Sequence, residues 1–207
     1  MGLVTLLALS DVEWARFARP QTTEPSPLQT CGSHSSMVEN VRHYDFFGAR
    51  EGDAASSLRQ RLLVTTDYQG RQRRFTGQTD WHIEWRACFE PDVQKCRIGG
   101  VTTTVHVTYT LPRWADRDAA PPGLRDRWDR YATSLAAHEK GHGAIAQEVA
   151  RLIETALVGQ SDEEGCATLD SRSAAIVDEV MQRGEAMQRE YDRATSHGGR
   201  QGALFPF

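Results

Sequence analysis

The sequence predicts an α+β fold: a small antiparallel β-sheet packed on one long helix, with a second, antiparallel C-terminal helix beside it. Three observations carry that reading. Between Val41 and Leu111, several segments alternate apolar and polar residues with the period of half-buried strands. From Leu124 to Leu157 the apolar residues recur instead at steps of three, four or five, the stripe of an amphipathic helix. A short polar turn, Gly159 to Gly165, then leads into a second helical stretch. Helices joined by a short loop pack antiparallel.

Composition bounds the possibilities. A chain of 207 residues suits one domain with a sizeable core and a tail. The net charge of -4 is spread as mixed signs, so no basic field invites nucleic acid. Cys31, Cys88, Cys96 and Cys166 form no C-x-x-C pair, which argues against a cysteine zinc knuckle. Scattered cysteines in even number fit one or two disulfides in an exported protein, with Cys96–Cys166 or Cys88–Cys96 the favoured pairings. Leu3 to Leu9 is an apolar run with no preceding Lys or Arg. It is too short to span a bilayer and reads as an atypical signal segment. No other run is long enough for an integral membrane segment. Residues 1–36 are thus assigned to a signal-like and linker segment, residues 37–207 to the folded domain, and the protein to a secreted or periplasmic location.

In order, Pro20 to Ser36 is rich in Pro, Thr, Ser and Gln, a linker that Cys31 can staple to the body. Val41 to Phe47 alternates and is aromatic, a strand ended by Gly48. Asp53 is placed to N-cap a helix through Leu58, Leu62 and Leu63. Tyr68-Gln69-Gly70 reads as a turn. Phe75 to Arg86 is a strand with Thr79, Trp81, Ile83 and Trp85 on one face. Cys88 to Cys96 reads as a loop around Pro91. Ile98 to Leu111 is the clearest strand, with Val101, Thr103, Val105, Val107 and Tyr109 on one side and Thr102, Thr104, His106 and Thr108 on the other. Three such strands imply an antiparallel sheet with one wet face. Pro112, Pro121, Pro122 and Gly123 break the chain before the long helix. The second helix runs from Cys166 to Ala194, with Leu169, Ile176, Val180, Met187 and Tyr191 on its inner face.

The chemistry centres on His138-Glu139-Lys140-Gly141-His142, an H-E-x-x-H inside the apolar stripe. A lone histidine on an apolar face is ordinarily a core residue. Two of them at i and i+4, however, point the same way one turn apart. Neutral imidazoles so placed can both bind one zinc ion, with Glu139 positioned to activate a metal-bound water. Gly141 and Gly143 break helix propensity at the same place, each at a cost of roughly 1 kcal/mol relative to alanine. Such a violation is expected where another backbone passes close by.

A catalytic zinc needs three protein ligands and an open position. The candidates for the third are His197, Asp162, Glu163, Glu164, Asp170, and the strand histidines His82 and His106. Glu163 and Glu164 follow the far end of the metal helix, roughly 30 Å from the histidines at a 1.5 Å rise. The second helix returns toward them and delivers Tyr191 and then His197, the favoured third ligand. Tyr191, if near the metal, is a hydrogen-bond donor for an oxyanion. Asp192 is placed to orient a histidine through its other ring nitrogen, and the threonine row Thr102 to Thr108 to line the cleft.

Several segments together resemble a known family. They are Y-D-F-F-G at Tyr44–Gly48, G-Q-T-D-W-x-I-x-W at Gly77–Trp85, T-L-P-R-W at Thr110–Trp114, H-E-K-G-H, and Y-D-R-A-T-S-H-G at Tyr191–Gly198. The combination resembles the bacterial DUF922 family, described as predicted secreted zinc-dependent proteases. The resemblance implies a zincin-like metallopeptidase domain acting on a peptide or protein substrate. It also implies Zn2+ on His138, His142 and His197, with Glu139 as the catalytic residue. Two rivals stand beside it: a secreted module that keeps zinc for stability or assembly alone, and a zinc amidase acting on cell-wall material.

Overall fold

The structure is a computed structural model and describes residues 31–66, 71–91 and 95–207. The Leu3–Leu9 run and the Tyr68-Gln69-Gly70 turn lie outside the described residues. So does most of the linker.

The centre of the sheet is β5 (Cys96–Trp114). Its alternation is obeyed almost residue by residue: Val101, Thr103, Val105, Val107 and Tyr109 are all buried. On one side it pairs antiparallel with β4 (Gln78–Pro91), and on the other it pairs parallel with β1 (His34–Phe46). The fold is α+β as expected, but the sheet is mixed. β1 and β5 are separated by a helix and a hairpin, so nothing in the chain forces them to run in opposite directions. β1 also begins earlier than Val41, and His34 to Ser36 belong to the sheet rather than to the linker. Cys88 to Pro91 continue β4 instead of forming a loop. Gly48 leads into α1 (Glu51–Gln60), whose N-cap is Arg50. Asp53 lies within the first turn, where its charge still favours the helix dipole. Leu63 opens β2 (Leu63–Thr66), which forms a separate hairpin with β3 (Gln72–Phe75). The strand expected over Phe75 to Arg86 is therefore broken at Thr76 and Gly77.

α2 (Pro122–Leu157) starts with proline in its first turn, where the missing N–H costs nothing. It lies across the inner face of the sheet. Ala146, Val149, Ala150, Ile153 and Leu157 meet Ile83, Trp85, Val101, Val105 and Val107 in one core. Each large side chain so buried contributes about 1.5–3 kcal/mol. The N-terminal half of α2 supplies a second, aromatic core: Leu124, Trp128 and Tyr131 pack with Phe46, Trp114 and Leu58. The Phe46 and Trp128 rings meet edge to face at 4.9 Å. After Gly159 (φ 83°), the two-residue β6 (Ser161–Asp162) adds to the start of β5. α3 (Cys166–Thr195) then returns along α2. Its buried line is Leu169, Ser173, Val177 and Gly184, with Ile176 and Val180 half-buried at its side.

Two disulfides close the structure, Cys31–Cys88 and Cys96–Cys166. The second is one of the expected pairs. The alternative expected for Cys96, Cys88–Cys96, is not formed: Cys88 joins Cys31 instead and staples the N-terminal segment to the far end of β4. No helix among the described residues is long and apolar enough to cross a membrane.

Candidate metal centre

His138 and His142 sit mid-way along α2, side by side, 3% and 13% exposed in turn for the His138 residue and the His142 side chain. α3 brings Asp192 against both. Asp192 Oδ1 lies 3.3 Å from His138 Nε2 and 3.1 Å from His142 Nε2. These are close to the ~3.3 Å edges of a tetrahedron with metal bonds of 2.0–2.1 Å. Among the described residues, His138, His142 and Asp192 form a set whose donor atoms all lie within 4.8 Å of one another.

The tautomers follow from two glutamines. Gln188 Nε2 donates to the His142 carbonyl at 3.1 Å, which orients the amide and leaves Oε1 facing His142 Nδ1 at 2.5 Å. An amide oxygen only accepts, so Nδ1 carries the hydrogen. Gln201 Oε1 stands 2.9 Å from His138 Nδ1 in the same relation, its Nε2 donating to the Tyr191 hydroxyl. With both Nδ1 atoms protonated, the neutral rings aim Nε2 lone pairs at the Asp192 carboxylate. Three lone-pair atoms lie close together, an arrangement that can hold a cation. In the metal-free protein a proton on His142 can take that part. Burial opposes a charge on His142, yet its hydrogen bonds to Asp192 and Gln188 hold its pKa above the usual histidine value. Burial likewise pushes Asp192 up, but hydrogen bonds from His138 and His142 outweigh it and hold the carboxyl well below the usual range. Carboxylate, imidazoles and outer amides make a donor set that fits zinc.

Past α3 the backbone turns sharply. Ser196, His197 and Gly198 all have positive φ, of 53°, 50° and 79°. Two successive non-glycine residues there are uncommon, and such strain collects at functional sites. The turn lays Gly198 on the His138 ring, where a Cβ would come within 2.9 Å. It sets His197 at the rim, with Nδ1 3.3 Å from Asp192 Oδ1 and its ring against Phe75. His197 is thus at the site as expected. It meets Asp192, which, unlike His197, belongs with His138 and His142 to the set of close donors.

Glu139 is 5% exposed. Its Oε2 accepts a 2.7 Å hydrogen bond from Thr79, and Oε1 lies where a Cβ on Gly77 would come within 2.6 Å. The break between β3 and β4 makes that approach possible. Thr76 is pinned there by Tyr44, whose hydroxyl donates to its carbonyl at 2.7 Å, and by a short hydroxyl contact with Tyr131. Burial pushes the Glu139 carboxyl above the usual carboxylate range, against the Thr79 hydrogen bond and the two histidines.

Tyr191 is at the site in a different manner from that expected. Its ring stacks on His138 at 5.0 Å, and its hydroxyl donates to the His138 carbonyl at 3.2 Å. The space for that hydroxyl is Gly141, where a Cβ would stand 2.0 Å from it. Gly143 makes the same room for the Tyr109 hydroxyl. The helix glycines therefore admit tyrosine side chains, not a backbone. The sequence carried no signal for Gln188 and Gln201, while Gly77 and Thr79 were marked as members of a family motif but not as partners of Glu139.

A cleft opens on this group. Its floor is His138, Glu139 and His142, and its walls include Phe75, Trp81 and Leu135. The threonine row does not line it, because Thr102, Thr104 and Thr108 lie on the opposite face of β5 from the buried Thr103, Val105 and Val107. His82 and His106 share that far face and pair across the strands. Asp162 is held by Arg172 at the far end of α2, and Asp170 lies on the first turns of α3.

The fold and site define a class: an α+β domain whose long helix presents an H-E-x-x-H and whose returning helix adds an aspartate to it. The chain belongs to the DUF922 family of bacterial proteins of unknown function, whose sequence profile matches residues 41–198. Searches of curated proteins and of solved structures found no match.

Proposed function

We propose that the protein is a zinc-dependent metallopeptidase working in a secreted or periplasmic setting. The observation that carries this is the convergence of His138 Nε2, His142 Nε2 and Asp192 Oδ1 beside a buried carboxylate that is not part of the set. A zinc held only for stability has no use for Glu139. Both disulfides and the lack of any free cysteine among the described residues support the oxidising location.

His138, His142 and Asp192 would hold the ion, with His197 as the further donor at the rim. Zinc so held supplies a Lewis acid that acidifies water and polarises a carbonyl. The rest is done by the chain. Glu139 is the base: Thr79 fixes Oε2, leaving Oε1 to take a proton from water in the cleft and return it to the departing amine. Its raised pKa brings it nearer the range where a carboxylate can do both. Gln188 and Gln201 hold the Nδ1 hydrogens, so that each ring presents Nε2 to the ion. Tyr191 is a positioning residue that fixes the His138 ring. β4 pairs only with β5 among the described residues, so its other edge is available to an extended peptide beside the cleft.

Metal analysis and a peptide-library digest test the reading. The purified protein should carry one zinc per chain, and His138→Ala/His142→Ala should lose it. Asp192→Ala should lose it too, while His197→Ala keeps it. Loss only in His197→Ala would exchange the two roles. Glu139→Gln should fold, retain zinc and lose hydrolysis by ~10²–10⁴-fold. Equal cleavage by that variant would refute the mechanism. Zinc retention with no cleavage of any peptide would favour the stability module, and cleavage of cell-wall amides alone the amidase.

A further inference from the structure

The face of the sheet turned away from α2 carries a second group of metal-binding side chains. His82 on β4 and His106 on β5 are direct cross-strand partners, with rings stacked at 4.5 Å and 4°. Glu84 lies two residues beyond His82, hence on the same face. Its Oε1 is 3.6 Å from His106 Nε2, too far for a hydrogen bond. That Nε2 is screened from solvent and has no hydrogen-bond partner. A buried polar atom left so costs about 1–3 kcal/mol unless a ligand meets it. Donor atoms of the three residues all lie within 4.8 Å of one another. The stacked rings hold their in-plane lone pairs parallel, so binding turns the exposed His82 and Glu84 side chains toward His106 Nε2.

We propose that His82, Glu84 and His106 form a second metal site, selective for borderline divalent transition ions. Two imidazoles and one carboxylate suit copper(II), nickel(II) or zinc, and are too few oxygens for calcium or magnesium. The site is independent of the centre on α2. Its ligands come from two strands, so an ion there clamps β4 to β5 and stabilises the folded chain by mass action. Trp81, the neighbour of His82, projects from the other face of β4 into the cleft. The clamp therefore falls on the strand that walls the candidate active site.

Copper(II) is the probe. Titrated calorimetrically into metal-free His138→Ala/His142→Ala protein, it should bind as one equivalent, with nitrogen couplings in the EPR spectrum. Adding His82→Ala and His106→Ala should abolish that equivalent, and Glu84→Gln should weaken it at least ~10-fold. In otherwise wild-type protein, His82→Ala/His106→Ala should lower the total from two equivalents to one, which serves if the α2 variant does not fold. Binding that is unchanged by the His82 and His106 substitutions would overturn the proposal. So would no copper binding in the α2 variant, provided that it folds.

Discussion

Glu139 has one oxygen committed and one free, and Thr79 sets that division. The hydroxyl donates to Oε2 and so favours the ionised carboxylate, against the larger effect of burial. Thr79→Val removes the donor and keeps the volume. The Glu139 pKa should then rise further, because nothing replaces the hydrogen bond. A base must be deprotonated to work, so the acidic limb of the kcat/KM profile should move to higher pH, with activity near the alkaline plateau less affected. A pH–rate profile on a cleaved peptide measures this; an unmoved limb would mean that another group titrates there. Thr79 was placed on the inward face of its strand from alternation alone. Its partner was not legible, since Thr79 and Glu139 are 60 residues apart.

At the scale of the element, α2 sets helix propensity against packing. Propensity favours Gly141→Ala by about 1 kcal/mol. The structure puts the new Cβ 2.0 Å from the Tyr191 hydroxyl, inside any allowed contact. Tyr191 must then leave the His138 carbonyl, and α3 must give way. Overpacking of this kind costs about 1–3 kcal/mol, so the net effect should be a loss. The denaturation midpoint should fall, and zinc affinity should fall with it as Asp192 moves away with α3. A stabilised variant would show that the helix pair has room to spare. The same helix shows how far periodicity reads. Leu124, Trp128, Tyr131, Leu135 and His138 are all buried as the stripe implies. Beyond the histidines the buried line passes to Ala146, Ala150 and Ile153, leaving Ile145 and Leu152 half-exposed. Alanines are inside there because the helix lies close on β5.

For the whole molecule, the two disulfides are the long-range ties. They join residues 57 and 70 positions apart, and chain entropy assigns roughly 4 kcal/mol to closing each loop. Unreduced, denatured protein from an oxidising compartment should show no free thiol. Cys96→Ser/Cys166→Ser, which frees β5 from the start of α3, should be markedly less stable to denaturant. Four free thiols in such protein would remove the support for export.

The long helix, its H-E-x-x-H pair on the inward stripe and the inner face of β5 were determined by sequence alone, because each is a periodic pattern within one element. The motifs of the family also mark residues that prove to touch the site: Tyr44 on Thr76, Gly77 and Thr79 on Glu139, Tyr191 on His138. Sequence did not decide which of Asp192 and His197 stands nearest the helix histidines, that β1 runs parallel to β5, or that Gln188 and Gln201 fix the tautomers. Those depend on how α3 lies along α2 and on a left-handed turn at Ser196 to Gly198. Contacts between residues 46 to 63 positions apart form only when the helices dock, and no local pattern encodes them.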